Sequence, residues 1–258
     1  MLEILDFVPA FLLILSRVTA FFVTLPLFSY RTIPAMYKVG LGLFLSWLMF
    51  FSIDPPVIEI DSIFFMLIMK EVIVGLTVGL VAMVMMYGIQ VAGGFIDIKM
   101  GFMMANVVDP QTGAQSPLMG GYLYTLALLF LLAIDGHHLL LDGVYYSYQF
   151  IPLEQWAIHF GNENILLFVV KTFNTMFIIA FQMAMPVVGC LFLVDVALGM
   201  IARTVPQVNV FVIGFPLKIL VGFIILVLVM PAFFVVTKYL VEQMIITMRT
   251  LMQLYGGL

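Results

Sequence analysis

Four side chains in one short stretch carry atoms that could bind a metal or move a proton: Asp135, His137, His138 and Asp142. His138 and Asp142 lie four residues apart and share a face of any helix that carries them. Imidazole and carboxylate are zinc-type ligands. The stretch nevertheless lacks a zinc-type signature, and no second histidine-rich stretch completes it. The pattern fits a turn capped by Asp135-Gly136 with hydrogen-bonded histidines better than a metal centre, so no metal and no cofactor is expected. No phosphate-binding glycine loop, nucleophile elbow or HExxH occurs. The single cysteine, Cys190, stands in an apolar run, where it reads as a small packing residue, and no intrachain disulfide can form. Without a catalytic constellation, an enzyme is not expected.

The remaining candidates are charges in apolar surroundings. Arg17 sits at the centre of the first apolar segment, and Lys70-Glu71 near the start of the third. A charge at mid-bilayer costs about 2.5–3.5 kcal/mol on insertion scales. Arg17 is therefore expected in a buried pair with a carboxylate or with carbonyls, and Lys70-Glu71 at a helix end near the interface.

Composition sets the frame for these residues. Of 258 residues 64% are hydrophobic and 9% charged, with a net charge of −4 and a mean hydropathy of +1.22. Soluble domains carry about 25% charged residues. This balance excludes a soluble enzyme and a nucleic-acid binder that relies on a basic footprint. Charge-free intervals at 72–96, 172–194 and 219–237 hold 25, 23 and 19 residues. A helix needs about 20 to cross a hydrocarbon core, whereas barrel strands alternate over about 10. The chain reads as an all-α, polytopic membrane protein. Glu3 and Asp6 stand where a signal peptide would carry Lys or Arg.

Six apolar segments follow: Phe7–Phe28, Ala35–Ile53, Ile63–Ala92, Tyr122–Tyr148 with an interruption at Asp135-Gly136-His137-His138, Ile165–Val194 and Pro216–Val236. Pro26 and Pro34 bracket the first turn, and Asp54-Pro55-Pro56 ends the second segment. One membrane-embedded unit is the simplest count. Arg31 and Lys38 in the first connection place it in the cytoplasm by the positive-inside rule. Lys99 and Arg203 agree with that, and Lys238 and Arg249 oppose it.

The least membrane-like stretch runs from about Asp97 to Gly121 and holds Asn106, Asp109, Pro110, Gln111, Gly113, Ser116 and Pro117. Two prolines and an Asp-Pro…Thr-Gly run exclude a continuous helix. Just before it, Met100, Met103, Met104 and Val107 share one helical face. Irregular backbone at membrane depth is tolerated only where protein buries it or an aqueous cavity adjoins it. Flexible methionines could seal such a cavity, although core filling is their commoner use. Gly75 and Gly79 form a GxxxG step for close helix packing. The tail residues Thr237, Val241, Met244, Met248, Leu251 and Tyr255 make a heptad seam suited to a partner helix or to a bilayer surface.

Three stretches together have a more specific look: Met100-Gly101-Phe102 followed by Val108-Asp109-Pro110, then Asp135-Gly136-His137, then the run from Arg203 through Pro206, Gln207 and Phe211 to Pro216-Leu217. Along the whole chain this pattern resembles the export-gate family of type III secretion, of the FliR/SctT type. Asp135 departs from it, since relatives often carry Asn before Gly-His. The resemblance implies kinked helical hairpins in a gate complex, with a FliP-like part over about 1–190 and a FliQ-like C-terminal hairpin over about 191–258. It implies a role in forming and closing the channel through which unfolded flagellar proteins leave during flagellum assembly. FliP- and FliQ-type subunits, an FlhB-type switch protein and other flagellar export components are the implied partners, with lipid and transient unfolded substrates; no nucleic acid is implied. The setting would be the bacterial inner membrane at the flagellar basal body. A plug loop would fall at about Ala105–Gly120, with Arg17, Gly75, Gly79, Arg203, Pro206, Gln207 and Pro216 serving assembly and packing. A secondary ion or solute transporter and a passive membrane scaffold are the alternatives.

Overall fold

A computed structural model describes residues 7–28, 33–53, 55–102, 107–108, 115–155, 163–205, 207 and 209–257. Its helices are α1 (Val8–Thr24), α2 (Ala35–Ile53), α3 (Ser62–Met100), α4 (Leu118–Ala133), α5 (Gly136–Phe150), α6 (Glu163–Thr204) and α7 (Val210–Gly256). Two-residue strands β1 (Val107–Val108) and β2 (Gln115–Ser116) pair antiparallel. The protein is all-α and polytopic. Among the described residues four helices are long and apolar enough to cross a membrane: α2, α3, α6 and α7. At 1.5 Å per residue α3, α6 and α7 measure about 58–70 Å, roughly twice a hydrocarbon core.

The chain divides into two compact units. The first comprises Met1–Met85, Asp135–Phe173 and Glu242–Leu258. Here α1 buries Leu13, Ile14, Val18 and Phe21, while α2 turns a narrow stripe, Gly42, Ser46 and Met49, inward. Gly42 seats against Thr19, and Phe11 meets Trp47 and Phe50 edge to face. Much of the rest of α2, including Phe44, Trp47 and Phe51, is exposed. The second unit comprises Met86–Ile134 and Asn174–Val241. Its core is built on Ile89, Ala92, Ile96 and Met100 of α3, Ala127 and Leu131 of α4, and Ala180, Ala184 and Leu191 of α6. Gly120 and Ala127 of α4 and Ala180 and Ala184 of α6 stand among larger buried residues, and small residues of this kind let helices approach where lipid supplies no drive for association. Only 17% of the best apolar window of α7 is buried. Apolar surface on this scale belongs against lipid or other subunits.

The structure corrects several expectations. Pro216 does not bound a segment; it lies inside α7, as does Pro231, and Pro186 lies inside α6. Each proline removes one backbone bond, a loss that membrane helices tolerate when local adjustment re-satisfies the carbonyl. The heptad tail is not a separate helix but the last five turns of α7. Its seam is buried by this chain itself, with Met248 on Gly143 and Gly256 on the Phe150 carbonyl in the first unit. The third segment runs on past Ala92 to Met100. Lys70 and Glu71 stand well inside α3, 3% and 0% exposed, rather than at a helix end. They are tolerated there because partners neutralise them.

Candidate functional site

The polar loop is built from its two ends. α3 stops where Gly101 takes φ +89°, a left-handed conformation that glycine adopts without steric cost. The Gly101 N–H still donates to the Asp97 carbonyl at 2.9 Å. The Phe215 ring lies so close that any Cβ at 101 would come within 2.7 Å of it. At the other end Pro117 stands at the N-cap of α4 and offers no side-chain cap. Asp97, from α3, does that work instead: its two carboxylate oxygens accept the Met119 N–H at 3.2 and 3.1 Å. A negative charge at a helix N-terminus is the favourable sign. Below this contact Gly93 and Gly120 touch backbone to backbone, since a Cβ on Gly93 would sit 2.2 Å from the Gly120 Cα. Between these anchors β1 and β2 pair antiparallel, Val107 with Ser116 and Val108 with Gln115.

The expected loop residues fall as follows. Ser116 is in β2 and Pro117 occupies the N-cap position of α4, whereas Asn106, Asp109, Pro110, Gln111 and Gly113 lie outside the described residues. The loop ends at Pro117, because Leu118–Gly120 already belong to α4. Of the methionine face, Met103 and Met104 also lie outside the described residues. Met100 is fully buried and packs on Gly222 of α7, so it fills the interior instead of facing a lumen. Asp97, Gly93 and Gly120 were not singled out in the sequence; the paired glycines 93–94 and 120–121 flanking the loop were the available signal. Asp97→Ala is expected to cost about 1–2 kcal/mol, the usual loss on removing a cap, read as a lowered thermal midpoint of the purified protein.

A second constellation lies in the first unit. Arg17 is 1% exposed. Its Nε donates to Glu71 Oε2, and its Nη2 to Glu71 Oε1 at 2.9 Å, a bidentate fork. Nη1 donates to Ser147 Oγ and Nη2 also to the Ile151 carbonyl, both at 2.9 Å. The Tyr148 ring covers the guanidinium at 4.0 Å. Lys70 Nζ reaches Glu71 Oε1 at 2.6 Å and donates to the carbonyls of Pro152 and Leu153 at 3.0 and 3.2 Å. One carboxylate thus serves two cations, and backbone carbonyls after α5 absorb the surplus. Gly75 and Gly79 make this possible. A Cβ on Gly75 would lie 2.3 Å from the Arg17 carbonyl, and one on Gly79 2.0 Å from Thr24 Oγ1. Only glycine lets α3 approach α1 that closely. The knot ties α1, α3 and α5 together and offers no open space for a substrate.

Asp135 takes φ +56°, the one left-handed non-glycine residue among those described. Aspartate and asparagine tolerate that conformation better than other L-residues, which accounts for either at this position. Its side chain makes no cap bond; its carbonyl accepts from His138 N–H at 3.0 Å. The expectation of hydrogen-bonded histidines is corrected for His137, whose buried Nδ1 has no hydrogen-bond partner. Asp135, His137 and His138 offer ligand atoms within 4.8 Å of one another. The two rings lie with centroids 4.2 Å apart and tilted by 37°, the contact of packed neighbours. Arg203, in the last turn of α6, and Gln207 are exposed. Pro206 lies outside the described residues, and α6 ends at Thr204, just ahead of it.

Comparison with known proteins bears on these features. The family profile described as "Bacterial export proteins, family 1" matches residues 8–244. The chain is 54% identical to the flagellar biosynthetic protein FliR of Bacillus subtilis (strain 168), over 98% of each chain. It is 28% identical to FliR of Escherichia coli (strain K12), over 84% of this chain and 82% of that one. Yop proteins translocation protein T of Yersinia pestis is 31% identical over 84% of each.

Proposed function

Because the chain belongs to family 1 of the bacterial export proteins, we propose that it is an export-gate subunit of the flagellar type III secretion apparatus, in the bacterial inner membrane. The observation that carries this reading is the 54% identity to a flagellar FliR along 98% of both chains. The chain works with FliP- and FliQ-type subunits and an FlhB-type switch protein, and unfolded flagellar proteins pass through the assembly. The widely exposed apolar faces of α2 and α7 suit a subunit that is completed by neighbours. Residues 1–190 supply the FliP-like part, and the hairpin formed by the end of α6 and α7 the FliQ-like part. The loop between α3 and α4 is the plug. Asp97 and the Gly93–Gly120 contact hold its base, while Asp109 is the one ionisable residue of the tip, so it blocks by bulk rather than by charge.

Co-expression with tagged FliP- and FliQ-type subunits of the same organism tests the reading. The chain is expected to co-purify with both and to restore export of flagellar proteins to a strain deleted for its own gene. A stable monomer that ignores both subunits, in a deletion strain that still exports, would overturn it.

A further inference from the structure

The second unit holds a cationic pocket that the gate reading leaves unused. Lys218 Nζ bonds Asp195 Oδ1, and Lys99 Nζ lies 3.6 Å from Oδ2 of the same carboxylate. Lys99 also stands 5.6 Å from the centroid of the Phe192 ring. Two ammonium groups on one carboxylate leave one positive charge over. All three residues are about a third exposed, unlike the closed Arg17 knot. They rim a cavity of about 370 Å³ whose remaining walls include Ile98, Leu198, Gly199 and Phe215. It is cationic at one side and apolar elsewhere.

The placement of these charges along their helices names the kind of ligand. The charge-free stretch 72–96 of α3 is followed by Asp97 and Lys99, the stretch 172–194 of α6 by Asp195, and the stretch 219–237 of α7 is preceded by Lys218. Three helices thus bring the ends of three uncharged stretches to one place. At 1.5 Å per residue these stretches are about 28–38 Å long, the thickness of a hydrocarbon core. Asp97 is already satisfied by α4. Stretches of that length fit a hydrocarbon core, and the charges at their ends fit the level at which phospholipid phosphates lie. We propose that this pocket binds the phosphate headgroup of an anionic phospholipid, with Lys99 and Lys218 on the phosphate and an acyl chain along Ile98, Leu198 and Phe215. Basic pockets between membrane helices are suited to such headgroups.

The experiment uses the complex co-purified with its FliP- and FliQ-type subunits, so that assembly is verified in the same sample. Delipidated complex is titrated with palmitoyl-oleoyl phosphatidylglycerol, with the phosphatidylcholine of the same chains, and with inorganic phosphate, and bound lipid is counted by native mass spectrometry. Wild type is expected to prefer phosphatidylglycerol at least tenfold over phosphatidylcholine, with millimolar phosphate failing to displace it. Lys99→Gln/Lys218→Gln should erase that preference. Gly199→Leu, where a Cβ meets nothing within 4 Å, should fill the pocket and lower binding at least tenfold with both lysines in place. Equal preference in wild type and both variants would overturn the proposal, as would displacement by phosphate alone. Failure of both variants to assemble would assign the pocket to a subunit contact and overturn it as well.

Discussion

Glu71→Gln lowers the stability of this protein by about 3–5 kcal/mol, the cost of leaving buried charge uncompensated. The size follows from a count. Arg17 and Lys70 are 1% and 3% exposed and share the single Glu71 carboxylate. An amide at 71 leaves two cations facing each other with no counter-charge, supported by the carbonyls of residues 151–153, Ser147 and the Tyr148 ring. Arg17→Met is expected to do less damage, since the Lys70–Glu71 pair stays neutral. Arg17→Lys will not substitute, because an ammonium cannot make the fork to Glu71 and reach Ser147 and Ile151 together. Thermal midpoints of the purified complex should rank wild type above Arg17→Met above Glu71→Gln. A Glu71→Gln midpoint within a degree of wild type would show that the knot is solvated or dispensable.

Gly93→Ala is the second large effect. The added Cβ would meet the Gly120 Cα at 2.2 Å and its N at 2.3 Å, and both are backbone atoms of another helix. No side-chain movement relieves that clash, so α3 and α4 must separate and Asp97 must lose the Met119 N–H. The expected cost is at the upper end of overpacking effects, about 3 kcal/mol. Gly189→Ala in α6 is the internal control, since a Cβ there meets nothing within 4 Å. That change should be neutral or stabilising by about 0.5–1 kcal/mol through helix propensity. The check is a pair of melting curves. Equal midpoints for the two variants would mean that the Gly93–Gly120 contact is not formed.

Local chemistry was legible in the residues. The bounds of α2 follow from Pro34 on one side and Asp54-Pro55 on the other, and the helices break at Asp135-Gly136. The length of the final helix was not. Proline is a strong breaker in water, and Pro216 suggested an end that the structure does not have. The long helices are apolar nearly all round, so periodicity could not tell which face is inside. Above all, the knot and the loop base are long-range constructions. Arg17 is 54 residues from Glu71 and 130 from Ser147, and Asp97 caps a helix 22 residues on. Charge cost alone said that Arg17 needs a partner; only the packing of Gly75 on α1 selects Glu71. Lys70-Glu71 read as an interface mark because each charge was weighed by itself, whereas together with Arg17 they form a network that can be buried.

The central claim is that this chain helps close an export path at rest through the loop between α3 and α4. It is tested most directly by the ion and small-solute permeability of cells that express the gate subunits with Gln111–Ser116 deleted from this chain, assembly being verified in parallel. The deletion removes residues 111–114 and β2 but leaves Pro117, Asp97 and the Gly93–Gly120 contact in place. The account predicts an assembled complex with normal yield and a membrane leak several-fold above wild type. A deletion strain as tight as wild type, with the complex intact, would contradict it.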